Sequence, residues 1–111
     1  LSTRWYILDG KIAKETPMLK AAKWMETANR IVALTELLNG VRVSTVFLCL
    51  DHGMYGKGPP ILFETMIFGG SFDQDYQERC STWEQAEEMH RRAVYMAMER
   101  HEDEISRPNH T

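Results

Sequence analysis

The chain is poor in cysteine, has no long apolar run and carries little net charge, and each shortage closes off a class of protein. Cys49 and Cys80 are its only cysteines in 111 residues. They form no C-x-x-C pair, and Cys49 lies in the most apolar stretch, so free thiols are expected rather than a disulfide framework or a metal knuckle. No apolar segment approaches the roughly 18–20 residues that a helix needs to span a bilayer, and the sequence does not open on a charged region followed by an apolar one. No membrane association and no leader are expected, and the chain reads as cytoplasmic. The formal net charge of -3 lacks the basic excess that tracks a phosphate backbone, so nucleic acid is not an expected partner. Internal repeats and low-complexity segments are missing too.

What is present is a core. Hydrophobic residues make up 43% and charged residues 26%, which is too apolar for disorder. The length suits one hydrophobic core, since two would each be marginal. Residues 1–100 are read as a single α+β domain, and 101–111, polar and interrupted by Pro108, as a frayed C-terminal tail.

Trp5 to Leu8, ended by Asp9-Gly10, reads as a first strand. Thr16-Pro17 signals a helix, with Thr at the N-cap and Pro at the first helical position. Met18, Ala21, Ala22, Met25 and Ala28 then recur at helical spacing, with Trp24 toward the flank. Ile31 to Leu38, Asn39-Gly40 and Val41 to Leu50 predict a hairpin closed by a two-residue turn. A further strand spans Ile61 to Phe68. Ser81…Glu84 or Thr82…Gln85 forms a capping box that opens a last helix running to about Glu99. This order predicts an antiparallel sheet of about four strands with two helices packed mainly on one face.

The alternation also predicts apolar side chains on both faces of the central strands, more than two helices cover. A homo-oligomer, a dimer or a multiple of dimers, is the expected remedy. Glu64 and Arg42 are candidates to lie near its interface.

Several polar residues stand out as candidates for ligand contact. Glu64 alternates with Leu62, Met66 and Phe68 and needs a partner, an arginine or backbone donors in the structural reading. His90 lies within the stripe Trp83, Ala86, Ala93, Val94, Ala97 and is expected to face the sheet. Arg79, Arg91 and Arg92 form the basic cluster nearest a helix start. Asp51-His52 ends an apolar strand but offers too few ligands for a metal, and none is expected. Gly53, Gly56 and Gly58 with Lys57 lead into a strand, unlike a phosphate-binding loop, so a recognition loop with Tyr55 at its tip is the better reading. No nucleophile motif appears, no catalytic residue is assigned, and no cofactor is expected.

The segments Val43 to His52, Gly58 to Gly70, and Arg79-Cys80-Ser81-Thr82-Trp83-Glu84 with Ala86 and His90 resemble a family of small uncharacterised proteins of tailed phages and prophages. Trp5 to Gly10, Trp24 and Glu26 resemble its N-terminal part. The chain departs from that pattern at three positions, Cys49 and Met89 where the family has Gly and Cys80 where it has an aromatic residue. The resemblance implies a phage accessory protein acting in the host cytoplasm. By analogy it would be a non-enzymatic binder that neutralises a host defence component, through a small anionic ligand such as a nucleotide signal or by docking on a host protein. A small hydrolase using His52, His90 or Glu64 is a third reading. The expected ligand set is Asp51, His52, Tyr55, Lys57, Glu64, Arg79, Trp83, His90 and Arg91. Arg79 and Arg91 would meet phosphate, Tyr55 or Trp83 a base, and His90 and Glu64 polar groups.

Overall fold

A computed structural model describes residues 3–53, 58–72 and 75–106. Tyr55 and Lys57 lie outside the described residues. The chain forms an α+β fold of two antiparallel sheets and two helices. Strands β1 (Trp5–Asp9) and β2 (Ile12–Thr16) pair as a hairpin. The four-stranded sheet has the order β3 (Ile31–Glu36), β4 (Arg42–Phe47), β5 (Phe63–Phe68) and β6 (Gln77–Cys80).

Period-two alternation decides the faces of that sheet. Val43, Thr45 and Phe47 on β4 pair with Ile67, Thr65 and Phe63 on β5, and all six are buried. Helix α2 (Trp83–Ser106) packs across this face, presenting Ala86, Met89, His90, Ala93 and Ala97. Three alanines in that stripe let the helix approach closely. Phe47 and Phe63, both nearly inaccessible, anchor the core, and each contributes about 1.5–3 kcal/mol through burial. Helix α1 (Met18–Met25) sets the edge of Trp24 against Phe47, at 5.8 Å between ring centres. Both helices therefore serve one face.

Tertiary pairing revised several local expectations. The first strand stays out of the four-stranded sheet and pairs with β2, whose sequence Ile-Ala-Lys-Glu-Thr carries no alternation to reveal it. Thr16 is not the N-cap of α1. It pairs with Trp5 in the hairpin, leaving Pro17 as N-cap without a side-chain bond. Of the expected stripe Met18 and Ala22 are exposed, while Ala21 and Met25 do face inward, joined by Trp24. The β3–β4 connection is a 3-10 turn over Leu38–Gly40, closed by Leu37 N–H donating to the Val41 carbonyl at 2.7 Å, rather than a two-residue turn. Strand β6 was also missed, because Gln-Glu-Arg-Cys is polar and earns its place only by pairing with β5. Helix α2 continues to Ser106, past the expected end near Glu99.

Beyond β4 the backbone turns sharply. Cys49 has φ +69°, a left-handed conformation rare for a side chain with a Cβ. This kink lets Tyr6 N–H donate to the Cys49 carbonyl at 2.7 Å and Asp51 N–H to the Arg4 carbonyl at 3.0 Å. The β1–β2 hairpin is thereby fixed beside the start of α2.

Candidate ligand-binding site

The start of α2 is built by the Thr82…Gln85 register of the capping box. Thr82 Oγ1 accepts from the Gln85 N–H at 3.1 Å, and Gln85 Oε1 accepts from the N–H groups of Ser81 and Thr82 at 3.1 and 3.2 Å. Those amides are thus already occupied. Next in sequence, Trp83 turns back toward the core, with its ring at 87° to Phe63 and 6.3 Å from it. Lys11, at the tip of the β1–β2 hairpin, holds its Nζ 5.9 Å from the Trp83 ring centre.

These elements enclose a cleft of about 320 Å³, lined by Tyr6, Lys11, Pro59, Pro60, Phe63 and Trp83, with Ser81, Thr82 and Glu84 among its polar groups. One feature is unusual. The Trp83 Nε1 atom is buried and has no hydrogen-bond partner among the described residues, which forfeits a bond that buried donors nearly always make. The lining is aromatic and aliphatic with few polar groups, the usual make-up of a small-molecule site.

Of the expected ligand residues that the structure describes, only Trp83 lines this cleft. Asp51 is buried and organises its own loop, accepting from the N–H groups of Gly53 at 2.7 Å and Ile61 at 2.9 Å and pairing with Arg4 at 3.1 Å. His52 Nδ1 is bonded to the Leu50 carbonyl at 2.7 Å. Glu64 is on the sheet face turned away from α2, where its carboxylate pairs with Arg79 at 2.9 Å and accepts from Gln77 at 2.7 Å. Its alternation with Met66 and Phe68 is observed, and its partner is an arginine. Arg91 bonds Glu88 at 2.8 Å on the outer side of α2 and draws the Glu88 carboxyl below the usual range. Arg92 pairs with Glu78 at 3.2 Å. Each of these arginines is matched by a carboxylate, so the basic cluster of the sequence is electrically spent.

His90 is buried beneath α2. Its Nδ1 is 2.8 Å from Thr45 Oγ1 and its Nε2 is 2.8 Å from Thr35 Oγ1, while Thr45 Oγ1 is also bonded to Thr65 Oγ1. Burial lowers the His90 pKa from its ordinary value, since the charged ring loses solvation. Neither ring nitrogen is left to meet a ligand.

Among the described residues no group of three or more His, Cys, Asp or Glu side chains is arranged to hold a metal. Among the same residues no helix is long and apolar enough to cross a membrane. Lys11 was missed in the sequence because nothing nearby marks it. Its role depends on the hairpin folding back to Trp83, a contact spanning most of the chain. No protein-family model matches the chain, and neither does any curated protein or solved structure.

Proposed function

We propose that this chain is a non-enzymatic binding protein whose ligand occupies the cleft between the β1–β2 hairpin and the start of α2. The observation that carries this reading is the unpaired Trp83 Nε1–H beside an apolar cleft. An acceptor atom on a ligand would relieve its desolvation, worth about 1–3 kcal/mol, once a small turn of the ring opens the buried Nε1 to the cleft. A flat, largely apolar ring suits the aromatic and proline walls, and Lys11 supplies one positive charge for an anionic arm. A nucleobase carrying phosphate has this chemistry. The resemblance to phage accessory proteins supports a host-derived nucleotide signal, captured to neutralise a defence component. Charge selection then falls to Lys11, because Arg79 and Arg91 already face carboxylates.

The test is native mass spectrometry of the purified protein after incubation with a small-molecule extract of cells. One intact anionic ligand is expected per chain. Trp83→Phe, which keeps a ring but removes the N–H, should weaken retention about tenfold, and Lys11→Glu should abolish it. Failure of the unmodified protein to retain any ligand overturns the reading. A stoichiometric host polypeptide captured from whole-cell lysate in a parallel incubation, with no small ligand retained, would support the docking alternative, and a chemically changed ligand with multiple turnover would support the hydrolase.

A further inference from the structure

The four-stranded sheet has a second face, turned away from α2, and its composition is that of an interface. Cross-strand partners share a face, which places Ile31, Val46, Glu64 and Arg79 in one row and Leu34, Ser44, Met66 and Gln77 in the next, followed by Glu36, Arg42 and Phe68. Ile31 and Leu34 are 48% and 49% exposed. Apolar side chains run through the middle of this face while α2 and the edge of Trp24 serve the opposite one.

Its charges indicate what covers it. Two acids, Glu36 and Glu64, are balanced by two bases, Arg42 and Arg79. A surface meant for a polyanion or an anionic membrane would show one sign. Glu64 and Arg79 are already bonded at 2.9 Å, so covering them leaves neither charge alone. Glu36 and Arg42 stand directly opposite each other yet form no ion pair among the described residues, and the Arg42 guanidinium lies over Phe68 at 5.3 Å instead. A twofold-related copy brings the same neutral pattern in reverse and offers an opposite charge to each.

We propose that this face is covered by the same face of a second copy of the chain, as a twofold dimer independent of the ligand cleft. Four strands at about 4.8 Å spacing and six residues at about 3.3 Å give a face of about 400 Å² per copy. That total of about 800 Å² lies below the 1,200 Å² or more of stable complexes, so the dimer is a weak one that dissociates on dilution.

Sedimentation equilibrium from about 10 μM to about 1 mM, the range in which so small an interface reports, is the test. The expected result is a concentration-dependent shift from monomer to dimer. Leu34→Glu, at an exposed site that leaves the core intact, should weaken association by about tenfold or more, and Ser44→Glu should repeat the effect should the first variant misfold. Leu19→Glu, at an exposed apolar site on α1, should leave it unchanged. A monomer throughout the range overturns the proposal. So does a dimer that Leu19→Glu dissolves and Leu34→Glu does not, or a monomeric chain whose sheet face binds only a different polypeptide.

Discussion

His90 and Thr45 meet at 2.8 Å in the centre of the molecule, joining α2 to β4 through a ring nitrogen and a hydroxyl. No charge balances a protonated ring there, and its pKa is lowered by burial. The unfolded chain takes up a proton near pH 6.5 that the folded chain refuses. Stability from this group is therefore complete above pH 6.5 and is lost as pH falls from there toward the folded pKa, with a slope of at most about 1.4 kcal/mol per pH unit. Urea unfolding of the parent and of His90→Gln between about pH 7.5 and pH 5 measures it. The variant should be less stable at neutral pH and show a flatter decline. Equal slopes would place the pH dependence elsewhere.

Asp51 ties Gly53 to Ile61 through its side chain. Its side chain is 1% exposed and satisfies two backbone N–H groups besides pairing with Arg4. Asp51→Ala should cost about 3 kcal/mol or more, because it strands the Gly53 and Ile61 amides and removes the part-buried ion pair with Arg4. Chemical denaturation gives the value, and a change under 1 kcal/mol would show that the network is dispensable.

Cys49 occupies a left-handed backbone position with a fully buried side chain. Burial pushes its thiol pKa up, opposed by the neighbouring Arg30 guanidinium. Cys49→Gly relieves about 1–2 kcal/mol of backbone strain and loses a similar amount in buried surface and unfolded-state entropy, so stability should change by less than about 1 kcal/mol. Cys49→Val, branched at Cβ, should cost about 2 kcal/mol or more. If both variants melt together, φ at this position does not matter.

Gly69 closes the end of β5 against the β3–β4 turn. Its φ is +85°, and an added Cβ would lie 2.7 Å from the Gly40 carbonyl oxygen. Gly69→Ala should therefore cost about 2 kcal/mol or more, whereas Gly10→Ala, with φ +62° but open space around it, should cost about 1 kcal/mol. Thermal unfolding of the pair separates the clash from the conformational term.

The legible parts of the fold were those written in local periodicity. β4 and β5 alternate cleanly because opposite faces meet different surroundings, and α2 announces itself through a capping box and an alanine-rich stripe. β2 and β6 carry no such signal, because none of their own residues is fully buried and backbone pairing with β1 and β5 holds them in place. For the candidate site, Trp83 could be singled out in sequence, but Lys11 could not.

The sequence by itself determined the α+β class, the apolar character of both faces of the central strands, and the need of Glu64 and His90 for partners, since each follows from alternation or from the cost of burying a polar group. Only the tertiary structure decided which partners they found. It paired Arg79 with Glu64, enclosed His90 among threonine hydroxyls, and folded the β1–β2 hairpin back so that Lys11 meets Trp83. Those choices depend on distances between residues far apart in the chain, which periodicity and spacing do not encode.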